Sequence, residues 1–360
     1  MAGLFRKPPP LLVPGASTSS LRLVAQTPFD PSSTSEPPYV LHAVPFSQGY
    51  LFAGSDDSIR AFSPTLQPLG TLKSTQKGIT SLAAGSGKDS NVAFVTARDG
   101  TVAGWDLRDL TKEAFKIKGK VPAPYLCASQ SSDQSCLAVG TEMYHYEAMI
   151  DFWDLRTMKL QQTYTESHSD DITALAFHPS PALPHVLLSG SVDGVLNTYD
   201  VRIADEDDAV QSTLQVGTSI AQAGWMGLKG QSDMKGVWGS TTIETMQLWD
   251  AEEQNLLSDL GDIRDVALQP WRSEYLIGAH YNPALGGVCL LAGTNGGDVA
   301  VLNASDPQTW VMEQVLSGAG GRTLATNRGH TDIVRCAHLN TETSTVVTGG
   351  EDGQICLWSV

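Results

Sequence analysis

The sequence predicts an all-β protein made of seven copies of one strand-rich unit, and three observations carry this. First, one frame recurs: a short β-rich run, a Gly/Asp turn, a second β run, then an aromatic residue often followed by Asp. It appears as FAGSDDSIRAFS, VTARDGTVAGWDLR, AVGTEMYHYEAMIDFWDLR, LSGSVDGVLNTYDVR, WGSTTIETMQLWD, LAGTNGGDVAVLN and VTGGEDGQICLWS. The aromatic position falls at Phe62, Trp105, Trp153, Tyr199, Trp249, Leu302 and Trp358, so units recur every 43 to 56 residues. Second, alternating apolar runs precede most frames: ITSLAAG, ITALAFH, IAQAGWM and IVRCAHL. Period-two alternation marks half-buried strands. Third, four strands in a unit of about 45 residues fit one blade of a β-propeller, and seven such units fit a closed ring.

The elements can then be placed in order. Residues 1–18, rich in proline, read as a disordered N-terminal tail, and residues 19–360 as a single propeller domain. SLRLVAQ (20–26) is a β run that precedes blade 1, whose own first strand is YVLHAV (39–44). The last unit, ending in TGGEDGQICLWSV, supplies only three strands. An open strand edge invites pairing with other chains. Residues 21–25 are therefore expected beside residues 355–358, completing blade 7 and closing the ring. The intervening TPFDPSSTSEPP reads as a polar, proline-rich connector.

Composition narrows the function. The chain is 41% hydrophobic and 17% charged, with a formal net charge of −16. That balance excludes a phosphate-neutralising surface, so direct nucleic-acid binding is not expected. It suits a basic protein partner, or simply keeps the surface soluble. The five cysteines lie far apart in apolar runs such as GVCLLAG, without a CxxC pair. They read as buried core residues of a reducing compartment, not as a disulfide frame or zinc site. The N-terminal apolar stretch is too short for a signal peptide, and no run of about 18 apolar residues suggests a membrane span. A cytoplasmic or nuclear protein is the expectation.

The repeated frame resembles the WD-repeat family in its seven-bladed form. It is most specific in blades 2, 4 and 7 and weakest in blades 1 and 6, where Phe62 and Leu302 replace tryptophan. The resemblance implies a buried hydrogen-bonded chain from His to hydroxyl, Asp and indole. In blade 7 these are His330, Thr348, Asp352 and Trp358; in blade 4 they are His168, Ser189, Asp193 and Tyr199. Blade 2 keeps Asp99 and Trp105 but carries Val95 at the hydroxyl position, which breaks its chain. His, Ser/Thr and Asp are also the residue types of a nucleophilic triad. Their recurrence at blade spacing explains them without chemistry, so no catalytic residue, cofactor or metal is expected. His42, His145, His178, His185, His280 and His338 are scattered and form no HExxH-type pair. SGAGGRT (317–323) lacks the spacing and lysine of a phosphate cradle and reads as a flexible loop.

A finer resemblance lies in the order SHSDDITALAFHPS, LSGSVDGVLNTYD, ADEDDAV, GDIRDV, YLIGAHY, LAGTNGGD and TGGEDGQICLW. This set is similar to the WD repeat-containing protein 89 family. It implies a seven-bladed propeller with a non-enzymatic role; loops on a rigid frame make a protein-interaction scaffold the expectation, as a monomeric ring within larger complexes.

Three features stand out as binding candidates. Blade 3 carries four extra residues in TEMYHYEAM (141–149), which places Met143, Tyr144, His145 and Tyr146 at a hairpin tip on the top face, with Arg98 on blade 2 nearby. Aromatic tips make good anchors; the alternative is that they pack back onto blade 3 or 4. WDLR at 105–108 and 153–156, and YDVR at 199–202, resemble the box of WD-repeat substrate receptors in cullin–RING ubiquitin ligases. The resemblance implies that Arg108, Arg156 and Arg202 meet an acidic adaptor on the bottom face; the alternative is a local turn. Finally, DEDDA (205–209), DAEEQ (250–254) and SDD (169–171) offer acidic edges for basic clients such as ribosomal proteins or histones, or are solvated loops.

Overall fold

A computed structural model describes residues 11–20, 22–32, 36–87, 90–228, 233–268, 271–283, 286–304, 309–316, 329–341 and 343–359. Among these, the strands form seven blades of four antiparallel strands and one further two-stranded sheet; six blades are meanders of consecutive strands, and blade 7 takes its fourth strand from near the start of the chain. The first strands of successive sheets neighbour one another around a ring: Val40–Phe46, Ile79–Ala84, Tyr125–Gln130, Ile172–Phe177, Ile220–Met226, Tyr275–Asn282 and Val334–Asn340. They line the centre, and each blade runs outward from its first strand. Seven apolar clusters fill the gaps, one between each pair of neighbouring blades. A blade exposes two apolar faces, so only stacking against both neighbours buries them.

Ring closure follows the expected route. Arg22–Pro28 pairs antiparallel with Gln354–Ser359, with Leu23 opposite Trp358 and Thr27 opposite Ile355. Leu21 itself lies outside the described residues. The connector that follows is more than a polar linker. Phe29 is fully buried between blades 7 and 1, and its N–H donates to the Gly353 carbonyl.

The N-terminal tail departs from expectation. Leu11–Ser20 is a strand, paired in parallel with the outer strand of blade 6, Thr309–Leu316. Blade 6 therefore has five strands. The proline-rich composition hid a short run, LLV, with enough β-propensity and apolar surface to dock. Residues 1–10 and 317–323, including the glycine-rich loop, lie outside the described residues.

Strand direction fixes two faces. Turns between the second and third strands of a blade share one end with the link from each blade to the next. We call this end the top. Turns between the third and fourth strands lie at the bottom. His42, His280 and His338 all sit on central strands, of blades 1, 6 and 7, with the His280 and His338 rings 6.1 Å apart. The histidines that look scattered in sequence are thus partly gathered by the ring.

Candidate functional site

The polar chain of blade 7 forms as expected. His330 Nδ1 lies 3.0 Å from Asp352 Oδ1, His330 Nε2 lies 2.7 Å from Thr348 Oγ1, and the Trp358 indole donates to Thr348 at 2.9 Å. Blade 4 repeats it: His168 bridges Asp193 (2.9 Å) and Ser189 (2.6 Å), and Tyr199 OH reaches Ser189 and Ser167. His330, Thr348, His168 and Ser189 are all buried. Burial pushes Asp352 and Asp193 up, but the hydrogen bonds and charge of His330 and His168 outweigh it and hold both carboxyls below the ordinary value. Each group has its partners, and the imidazoles and hydroxyls are buried within the blades.

Blade 2 shows what happens without the hydroxyl. Val95 stands where Thr348 stands in blade 7, and the fully buried Trp105 indole finds no acceptor among the described residues. Gln76 fills the polar slot instead, donating to the Val95 and Thr101 carbonyls at 3.0 and 3.1 Å. A glutamine outside the repeat frame gave no sequence signal for this.

The blade 3 hairpin is the feature that the frame does not use up. It joins Cys136–Thr141 to Ile150–Asp154 at the top face. Tyr144 and Glu147 exchange backbone hydrogen bonds, which leaves His145 and Tyr146 as the two turn residues, at φ 53° and 72°. A two-residue hairpin of type I′ has positive φ at both central positions, and Asn-Gly commonly supplies it. A tyrosine there is strained. Tyr146 is 93% exposed and Met143 40%. The Tyr144 ring leans on His145 with centroids 4.2 Å apart. Asp171, entering blade 4, accepts from Met143 N–H at 2.7 Å, and Arg98 faces Glu142 at 3.8 Å. Arg98, Met143, Tyr144, His145 and Tyr146 therefore come together across the tops of blades 2 to 4, and Met143 and Tyr146 do not fold back.

The bottom-face arginines behave differently. Arg108 makes a two-pronged pair with Asp106 in its own turn, at 2.8 and 2.6 Å, and Arg202 does the same with Asp200 at 2.9 and 2.6 Å. The Arg108 hydrogen bonds hold Asp106 down to about 2. Arg156 sits loosely, 3.9 Å from Asp154.

The acidic runs are also partly committed. DEDDA holds a single helical turn, Glu206–Ala209, and the Glu206 carboxylate accepts from the backbone N–H groups of Glu166 (3.0 Å) and Ser167 (2.8 Å). Asp250 caps the N–H groups of Glu252 and Glu253. An acidic cleft of about 700 Å³ appears elsewhere, where blades 7 and 1 meet, lined by Asp30, Glu36, Asp56, Glu351, Tyr39 and two prolines. Its acids are dispersed along the chain, so sequence reading missed it. Among the described residues, no group of three His, Cys, Asp or Glu side chains is placed to hold a metal.

A seven-bladed ring with this polar chain defines a WD-repeat propeller, and the chain belongs to that class. The family model described as "WD domain, G-beta repeat" matches residues 158–200 and 321–359, the two repeats that carry complete networks. WD repeat-containing protein GTS1 of Arabidopsis thaliana is 27% identical over 317 residues, covering 84% of this chain and 76% of the relative. The WD repeat-containing protein 89 homolog of Dictyostelium discoideum is 24% identical over 276 residues, covering 76% of this chain and 69% of the relative. An uncharacterized WD repeat-containing protein of Saccharomyces cerevisiae is 29% identical over 163 residues, 45% of this chain and 40% of its own.

Proposed function

We propose that this propeller is a non-catalytic scaffold that grips a partner protein with its top face, anchored on the blade 3 hairpin. The observation that carries this is the turn at His145 and Tyr146. Bulky residues are held there at positive φ with one ring almost wholly in solvent. Strain of about 1–3 kcal/mol at an exposed position brings no packing in return. It is accounted for by what the ring contacts when a partner binds, since exposed aromatics on a rigid frame make interface anchors. Arg98, Glu142 and Asp171 supply the polar rim.

The adaptor reading through Arg108, Arg156 and Arg202 has weaker support. Two of the three guanidinium forks already grip their own Asp, so engaging an adaptor first breaks a bidentate pair. The escort reading draws on the cleft at blades 7 and 1, which gathers Asp30, Glu36, Asp56 and Glu351, with Arg60 paired to Asp30 and Arg335 to Glu351. A basic segment suits an acidic lining of this kind.

The test is affinity purification of the tagged full chain from its own cells, with mass spectrometry of what accompanies it. Wild type is compared with Met143→Ala/Tyr146→Ala and with Arg108→Ala/Arg156→Ala. The top-face pair is expected to lose specific proteins while the arginine pair keeps them. An unchanged set with the top-face pair ends the proposal. A cullin adaptor lost only with the arginine pair establishes the other face.

A further inference from the structure

Blade 6 has its four strands, yet a fifth lies along its outer edge. Leu11–Ser20 runs parallel to Thr309–Leu316, with Leu12 opposite Trp310 and Val13 opposite Val311. Closing the ring does not require it, because Arg22–Pro28 does that on blade 7. The segment sits as a bound peptide sits in β-addition, main chain against a sheet edge, with a side chain in a pocket. The pocket is local. A short hairpin of Ala267–Leu268 and Trp271–Arg272 stands beside the edge, and Leu12, Ile263, Val266, Trp271 and Trp310 belong to one apolar cluster. Leu12 is 5% exposed.

The chain's own segment pairs with this edge incompletely. Pairing breaks between Pro14 and Ser19, and proline has no N–H to give. The indole N–H groups of Trp271 and Trp310 and the Ser273 hydroxyl are buried, and they find no hydrogen-bond partner among the described residues. Buried polar groups are nearly always paired. Trp271 and Trp310 share the cluster that Leu12 enters, so two of these unpaired groups belong to the wall of the pocket.

We infer that the outer edge of blade 6 is a docking groove for an extended segment of a partner protein that places an apolar side chain where Leu12 sits. Residues 11–20 occupy it in cis until such a segment displaces them. A second copy of the chain is the poorer occupant. Only Leu21 separates the two paired strands, so lending residues 11–20 to another ring forces two closing blades together. The same short tether gives the cis segment a high local concentration, which sets the threshold a partner must exceed. This groove is independent of the top-face reading.

The experiment uses a chain lacking residues 1–20, which keeps the closing strand, and a fluorescent peptide of residues 9–20 (PPLLVPGASTSS) as probe. The truncated chain is expected to bind the peptide saturably, and the full chain at least tenfold more weakly. A Leu12→Asp peptide binds neither. Hydrogen exchange at residues 309–316 speeds up on truncation and slows again with peptide. Three results overturn the inference: no binding to a folded truncated chain, equal binding to both chains, or dimerisation of the full chain through this edge. Should truncation unfold the protein, Leu12→Asp in the full chain decides. Faster exchange confined to 309–316 supports a displaceable segment. Global unfolding makes residues 11–20 part of the frame and ends the proposal.

Discussion

Blades 7 and 3 share one frame and spend their polar residues in opposite ways. In blade 7, Asp352, His330, Thr348 and Trp358 link in one hydrogen-bonded chain, and His330, Thr348 and Trp358 are buried. They look like chemistry and act as mortar. In blade 3, Val139 stands at the hydroxyl position, opposite Asp151 in the next strand. Asp151 bonds instead to Tyr125 and Thr163. The residues that look like filler, Met143 to Tyr146, are left at the surface, with positive φ at His145 and Tyr146. Catalytic-looking side chains are satisfied inside the ring, and the exposed aromatic tip lies where the repeat is interrupted.

Substitutions that exchange these roles test the contrast. The largest effect is expected from His330→Ala in blade 7, which strips a buried carboxylate and a hydroxyl of their partner. A loss of about 3 kcal/mol is expected in urea unfolding monitored by tryptophan fluorescence. A loss below about 1 kcal/mol means that packing alone holds the blade. Thr348→Val copies blade 2 into blade 7 and is expected to cost about 1.5 kcal/mol, since it leaves the Trp358 indole as unpaired as that of Trp105.

Opposite signs are expected at the other sites. Tyr146→Gly relieves positive φ at the hairpin tip and is expected to raise stability by about 1 kcal/mol while weakening partner capture. Stability unchanged or lower breaks the link between strain and binding. Val95→Thr gives the Trp105 indole an acceptor in blade 2, with an expected gain of about 0.5 kcal/mol.

Acid titrates buried groups of the ring and has no effect at neutral pH. Burial takes His42 and His338 down to about 4 from an ordinary 6.5. The unfolded chain therefore takes up protons first, and stability falls as pH drops from about 6.5 toward 4. Asp352 and Asp193, held below 3.8, add a second loss as pH falls through that value. His42→Gln is expected to flatten the first slope and leave the second. Denaturant midpoints across this range measure both.

The fold was legible because the aromatic position and its turn recur in every unit, even where Leu302 or Phe62 stands in. The closing strand was legible because an unpaired β run at one end matched a missing strand at the other. Leu11–Ser20 was not, because its docking depends on a groove made by residues about 250 to 300 positions away. Glu206 reads as a solvated acid, and only folding shows it clamping the backbone that leads into blade 4. The hairpin tip was visible as an insertion, but its positive φ values are a property of the closed turn.

The most direct test of the top-face account is site-specific photo-crosslinking in cells. A photoreactive residue replaces Tyr146 at the hairpin tip in one chain and Leu183, an exposed bottom-face position, in another. The account predicts a discrete crosslinked partner from position 146 that is absent from position 183. No adduct from 146, or the same adducts from both positions, contradicts it.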